Sequence, residues 1–477
     1  MTPMLDAATY AGLSALEIAR EVNAGQLSAV EVAAAALELA EQRGSRYGAF
    51  TCLAPERAIA DARRTDTRIA AGERLPLAGV PCPIKDLNQV AGLPWEAGSA
   101  VLRGNRATAD DPIVGWFAEA GTSMIGKTTV PEFGLPCYTE PDTGPPAVTP
   151  WDPTRSAGGS SGGAAAAVAA AIVPLAHGSD AGGSIRIPAS ACGLVGLKVS
   201  RGLISSGNRP PGPGLGVDGV LTRTVRDTAL ALDVLAGPRP SDTYWAPMAP
   251  GGYLAACDQA PERLRIGLLT TPVIADAEVH PACLDAATRA AQLLEDLGHE
   301  VIEAPVPFPA TQWQAFAAVW AVGALSIPMP PDADAALTPL SRWLRDAGRA
   351  STGLEYAQAL SAIQLLTKQV AEVWDAFDIV LTPTLAQPPA LLGSLRDDAD
   401  PASDFAAQTR FTPWTSVYNL TGRPAISLPL HTARLAGPDS PELPIGVMLG
   451  GRFGAEDVLL GLAATVEAAA PWRRPTL

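Results

Sequence analysis

The sequence predicts an α/β fold in a single domain spanning 1–477. Three observations carry this expectation. Hydrophobic residues make up 47% of the 477 and charged residues 17%, enough apolar content for a sizeable core and too little charge for a disordered chain. Short apolar runs alternate with segments of helical period, most clearly at 264–269, 281–297 and 300–303, which read as strand, helix and strand of one parallel pair. The span between Arg155 and Asp180 contains no Asp, Glu, Lys or Arg and only His177, so its backbone belongs in the interior.

Taken in order, 14–23 and 28–42 each open with a serine followed three residues later by glutamate (Ser14 and Glu17, Ser28 and Glu31), the capping-box signature of a helix start. A third helix is expected at 55–71. The segment 76–84 reads as an extended apolar strand that delivers Lys85. A helix at 111–120, a short strand at 122–125 and a Pro/Gly/Thr-rich loop at 131–153 follow. Beyond a glycine-serine stretch at 156–164 come a buried strand at 172–176, a loop at 205–218, a helix at 224–236 and a linker-like segment at 238–261. The remainder reads as helices at 311–326 and 354–377, strands at 379–381, 425–430 and 445–449, and a closing helix at 456–469. The segment 391–411 carries four aspartates and few apolar positions and is read as irregular, a mobile flap.

A net charge of −15 without a Lys/Arg run excludes nucleic acid and anionic membranes as expected partners, leaving a small molecule. The six cysteines are scattered, with no CxxC pair, and are expected to be reduced. The N-terminal twenty residues lack a basic then apolar leader, and the run 164–176 is too short to span a bilayer. A cytoplasmic location is expected.

The chemistry has to be built from Lys85, Ser160 and Ser184. Ser160 lies in Gly158-Gly159-Ser160-Ser161-Gly162-Gly163 and Ser184 in Asp180-Ala181-Gly182-Gly183-Ser184-Ile185-Arg186. Serines in glycine-rich buried loops are candidate nucleophiles, and consecutive glycine N–H groups can converge on one developing oxyanion. There are four histidines, and neither serine sits in a G-x-S-x-G elbow, so a Ser-His-Asp triad is not expected. A buried lysine can replace histidine, because desolvation disfavours its ammonium form. His177 reads as a satisfied core histidine and Cys137 as pocket lining, while Asp180 and Arg186 read as the pair that holds the nucleophile loop in place.

These motifs resemble the amidase signature family. Pro83-Ile84-Lys85-Asp86-Leu87 stands 75 residues before Ser160, and Ser160 stands 24 before Ser184. Gly193-Leu194-Val195-Gly196-Leu197-Lys198, Leu381-Thr382-Pro383-Thr384 and Asn419-Leu420-Thr421-Gly422-Arg423-Pro424-Ala425 extend the likeness over 27–469. The resemblance implies Ser184 as nucleophile, Ser160 as a bridging serine preceded by a cis peptide bond, and Lys85 as the ultimate base. It also implies a large mixed β-sheet flanked by helices and an oxyanion hole from Ala181, Gly182, Gly183 and Ser184, with neither metal nor cofactor.

Thr149, Val199, Ser200 and Met448 depart from the common family pattern without touching the triad. The substrate pocket is expected at Leu135, Cys137, Tyr138 and Trp414, apolar and aromatic residues that suit a bulky apolar or aryl group. The similarity at 237–243, 264–269 and 419–429 is to aryl acylamidases and 6-aminohexanoate cyclic-dimer hydrolases. The expectation is therefore a serine amidohydrolase of aryl amides and esters, with N-aryl carbamate (urethane) cleavage as the alternative. The glutaminase subunit of a tRNA-dependent amidotransferase fits less well. Ile187 follows Arg186, and 202–208 lacks that relative's Asp-Gln segment. A non-catalytic binding protein would be expected to have lost a triad residue, and all three are present.

Overall fold

A computed structural model describes residues 5–207, 213–240 and 242–477. Part of the loop expected at 205–218 lies outside these residues, as do Asn208 and Ser241. Among the described residues the eleven strands are β1 (Phe50–Leu53), β2 (Ile84–Lys85), β3 (Gly126–Thr128), β4 (Leu175–Asp180), β5 (Val195–Lys198), β6 (Val217–Thr222), β7 (Arg265–Leu268), β8 (Glu300–Glu303), β9 (Ile379–Pro383), β10 (Ala425–Arg434) and β11 (Glu442–Gly451). Eight form one sheet in the order β4-β6-β5-β10-β11-β9-β7-β8, and β1-β3-β2 form a small second sheet.

The large sheet is mixed. β7 runs parallel to both β8 and β9, with Ile266 opposite Val301 and Ile379, whereas β4 through β9 pair antiparallel. The strand, helix, strand unit read from 264–303 forms as expected, with Pro281–Asp296 as its crossover. The starts of two N-terminal helices, Ala15–Asn23 and Ala29–Arg43, are announced by the sequence. Ser14 and Glu17 close one capping box, and Ser28 and Glu31 a second, satisfying N–H groups that would otherwise be orphaned.

Several elements differ from the sequence reading for identifiable reasons. Only Ile84–Lys85 of the extended run 76–85 pairs as a strand, because Pro76, Pro81 and Pro83 have no N–H to give a ladder. The strand expected at 122–125 lies at Gly126–Thr128, where β1 and β2 supply partners; Ser123 makes an isolated bridge to Pro81. The strand expected at 172–176 begins at Leu175, after Pro174, and runs through His177, Ser179 and Asp180. A strand this polar looks like a loop in sequence, yet His177 and Asp180 are completely buried. The segment read as irregular at 391–411 contains the helix Pro401–Phe411 with Pro at its first turn. The helix Pro339–Ala350 was not anticipated. No helix among the described residues is long and apolar enough to cross a membrane.

Candidate active site

Of the chain's four lysines, Lys85, Lys127 and Lys198 are buried at 1% exposure or less, and only Lys368 is exposed. Their partners tell them apart. Lys127 pairs with the Asp86 carboxylate, and Lys198 donates to the carbonyls of Val199 (2.6 Å) and Arg423 (2.9 Å). Lys85 donates from Nζ to Ser160 Oγ (2.8 Å), Ser179 Oγ (3.0 Å) and the Ser179 carbonyl (3.2 Å). A lysine amine against a serine hydroxyl can exchange a proton with it, which an amine bound to backbone carbonyls cannot do.

Burial, and then repulsion from Arg186, lowers the Lys198 pKa to about 7. Between that value and the ordinary lysine pKa near 10.5 the unfolded chain binds the extra proton, so stability must rise with pH across this window. Urea midpoints at several pH values between 7 and 10 should show this gain in the wild type and lose it in Lys198→Met; equal slopes would contradict the assignment.

Ser160 is presented by the stretch before the buried helix Gly162–Ala169, and the Gly159–Ser160 peptide bond is cis, as expected. Glycine at 159 is needed for close approach: a Cβ there would lie 2.8 Å from main-chain atoms of Cys137 and Tyr138. Ser161 N–H donates to the Ser184 carbonyl at 3.3 Å, tying this stretch to the second serine loop.

That loop connects β4 to the helix Arg186–Cys192 and is organised by one carboxylate. Asp180 Oδ1 accepts from Gly183 N (2.8 Å), Arg186 Nη2 (2.9 Å) and Asn419 Nδ2 (2.9 Å), while Oδ2 accepts from Ile185 N (3.1 Å) and Arg186 Nε (2.9 Å). Asp180 and Arg186 are both at 0% exposure. Burial alone would raise the Asp180 pKa, but the Arg186 guanidinium and the hydrogen bonds outweigh it and hold the carboxyl well below its usual range. Arg186 Nη1 also donates to the Thr415 carbonyl (2.7 Å), and at 3.5 Å meets Met448 Sδ, one of the family-pattern departures. Gly183 has a φ of +138°, and a Cβ there would meet Ile187 Cδ1 at 2.6 Å and Thr415 Oγ1 at 2.7 Å, so the loop tolerates no side chain at this point.

Ser184 lines a cleft of about 60 Å³ that is open to solvent. Of the four residues read as substrate pocket, Leu135 and Cys137 line it and Tyr138 and Trp414 do not. Both are nearly fully buried behind the lining, each with its polar atom occupied: Tyr138 Oη donates to Asp404 Oδ2 (2.6 Å) and Trp414 Nε1 to the Thr271 carbonyl (2.9 Å). Burial pushes the Cys137 thiol up, and the Asp404 charge adds to this, which keeps it protonated and unreactive.

The aromatic wall was missed. Trp313, Phe316 and Trp320 stack along one helix face at 5.0 and 5.2 Å between ring centroids, and Phe405 stacks on Trp313 at 6.2 Å. The signal in the sequence was the i, i+3, i+7 spacing of three aromatics. Phe405, Gln408, Thr409 and Thr412 reach the cleft from Pro401–Phe411 and the residue after it, so the segment read as a flap supplies part of the wall. Gln408 donates to Asp404 and accepts from Cys137 N (2.7 Å), fastening the helix to 137–138. Among the described residues, none that lines the cleft carries a charge.

This fold and these loops are those of an α/β amidohydrolase. The amidase family profile matches residues 31–460, and the chain belongs to that family of hydrolases acting on C–N bonds. It is 34% identical over 447 residues to the 6-aminohexanoate-cyclic-dimer hydrolase of Paenarthrobacter ureafaciens, covering 87% of each chain. A solved 6-aminohexanoate cyclic dimer hydrolase complexed with substrate superposes with a TM-score of 0.87 at 32% identity, over 97% of this chain and 98% of that one. A bacterial aryl acylamidase superposes at 0.84 with 28% identity, over 96% of each.

Proposed function

We propose that the protein hydrolyses small amides and esters bearing a bulky apolar or aryl group, through a Ser184–Ser160–Lys85 triad and an acyl-enzyme. The observation that carries this reading is the 2.8 Å bond from Lys85 Nζ to Ser160 Oγ, both buried, beside the cleft that Ser184 lines. Neutral Lys85 takes the Ser160 proton as Ser160 takes that of Ser184, so the Ser184 oxygen attacks the carbonyl without a free alkoxide forming. The same path in reverse protonates the leaving amine, and water then repeats the sequence on the acyl-enzyme. The oxyanion would be met by main-chain N–H groups of the 181–184 loop. Gly183 N–H donates to Asp180 in the resting geometry, which leaves Ala181, Gly182 and Ser184 as the direct donors and Gly183 as a supporting one.

The uncharged aromatic cleft supports the substrate class. A free carboxylate or ammonium would be desolvated there without a counter-charge among the lining residues, which disfavours glutamine and free amino acids. An N-aryl carbamate presents the same carbonyl to Ser184, and the aromatic wall suits its aryl group, so urethane cleavage is the second reading. Its carbamoyl-enzyme would release carbon dioxide. A kcat/KM panel of nitroanilides, nitrophenyl esters, aryl carbamates, glutamine and short peptide amides should rank the aryl substrates first. Glutamine or peptide amides outrunning every aryl substrate would overturn the aryl-pocket reading and leave the triad standing.

A further inference from the structure

His177 plays no part in the relay just described, yet it is completely buried directly behind the base. β4 passes alongside β2 without forming a ladder with it. One main-chain bond joins them, from His177 N to the Pro83 carbonyl at 3.1 Å. Two residues further along β2, the Lys85 N–H donates to the His177 side chain at Nδ1 (3.2 Å). An imidazole nitrogen therefore stands where a β-sheet would offer a carbonyl. The far end of the same lysine reaches Ser179, two residues beyond His177 on β4.

The hydrogen-bond polarity fixes the ring's state. A backbone N–H can only donate, so Nδ1 must be unprotonated and the ring proton must sit on Nε2, which faces Asp218 Oδ1 at 3.2 Å. Asp218 lies on β6, and Ser179 stands opposite it in the β4–β6 register. Phe117 packs against the ring in a T-shaped contact, 6.2 Å between centroids and 72° between planes. The arrangement is a carboxylate that sets a tautomer and an imidazole that accepts, with an amide of the presumed base as the proton donor at its end.

We propose that His177, held in its Nε2–H tautomer by Asp218, is a positioning residue for catalysis: it anchors the Lys85 main chain so that Nζ stays aligned on Ser160. No proton of the substrate passes through it. The imidazole acts only as an acceptor that must remain neutral, and its loss leaves the Lys85 N–H buried without its partner. This inference rests on Lys85 being the base.

The test compares variants on the best aryl amide of the panel, with melting temperatures measured alongside. His177→Leu should lower kcat by about 10- to 100-fold with KM unchanged, the scale expected when a reacting group is displaced by ~1 Å. His177→Gln, whose amide can accept from Lys85 and donate to Asp218, should recover most of that loss. Asp218→Asn leaves the imidazole in place but can donate to Nε2 and drive the ring proton onto Nδ1, towards Lys85 N–H. It should also lower kcat at constant KM, and it carries the test if the leucine variant does not fold. A folded leucine or asparagine variant with wild-type kcat would overturn the proposal, as would a folded glutamine variant no better than leucine. Lys85→Met separates the two readings. If it keeps activity, the base assignment fails. If it is inactive while His177→Leu is unimpaired, only the role of His177 fails.

Discussion

Ser184→Ala should remove hydrolysis of every substrate class at once, with kcat falling by up to about 10⁶-fold, the scale seen when a covalent nucleophile that acts as a unit with its base is deleted. The melting temperature should hardly move. Ser184 lines the cleft and the loop is organised by Asp180, so the hydroxyl is not what holds the fold. A serine-directed phosphonate, followed by mass spectrometry of the digest, should place the label on Ser184 alone. Labelling of Ser160 or Cys137 would sink the assignment. Cys137 is the sharper control, because it lines the same cleft with its thiol kept protonated by burial.

Asp180→Asn should do the opposite kind of damage. It exchanges an anion for a neutral amide of the same shape and leaves Arg186 charged at 0% exposure. Breaking a buried pair by removing one partner costs about 3–5 kcal/mol. The new amide nitrogen would also face either Gly183 N or Ile185 N, donor against donor, at the points where the carboxylate now accepts. Stability and activity should therefore fall together, measured as a lower urea midpoint and a lower kcat on the aryl panel. The pH dependence has a definite sign. A carboxyl held below its usual range stabilises the fold at every pH above the unfolded carboxylate pKa and loses that contribution only as pH falls towards its depressed folded value. The difference between wild type and Asp180→Asn should thus persist at pH 8 to 9, above the range in which the neighbouring Lys198 changes charge in the fold. A variant that melts with the wild type across that range would show that Arg186 needs no counter-charge.

Much of the fold and the site was legible in the sequence, and what failed did so for physical reasons. Capping boxes, the parallel β7–β8 unit and the closing helix Glu456–Ala469 declare themselves through local patterns, because caps, crossovers and amphipathic faces are built from neighbours in the chain. β4 was misplaced because its burial is imposed by distant partners. His177 and Ser179 are polar residues satisfied by Asp218 and Lys85, which no local window contains. The glycine-flanked serines and Lys85 were legible because their spacing matches a known family. The cleft was only half legible. Tyr138 and Trp414 are aromatic like Trp313 and Phe316, which line the cleft, but each turns its polar atom to a partner behind the wall, Asp404 in one case and the Thr271 carbonyl in the other. Sequence shows that a residue is large and apolar and does not show which side of a wall it stands on.

The burial of three of the four lysines bears on how the folded protein meets reagents. Positive charge on its surface is carried almost wholly by arginine, and Lys368, on the helix Gly353–Trp374, is the one lysine side chain exposed to solvent. Acylating dyes, aldehyde crosslinkers and activated resins, which attack free amines, therefore find a single side-chain foothold besides the chain's own terminal amine. Coupling through Lys368 would tether every molecule by the same helix and in the same orientation, while the lysine beside Ser160 stays sealed from the reagent for as long as the protein remains folded.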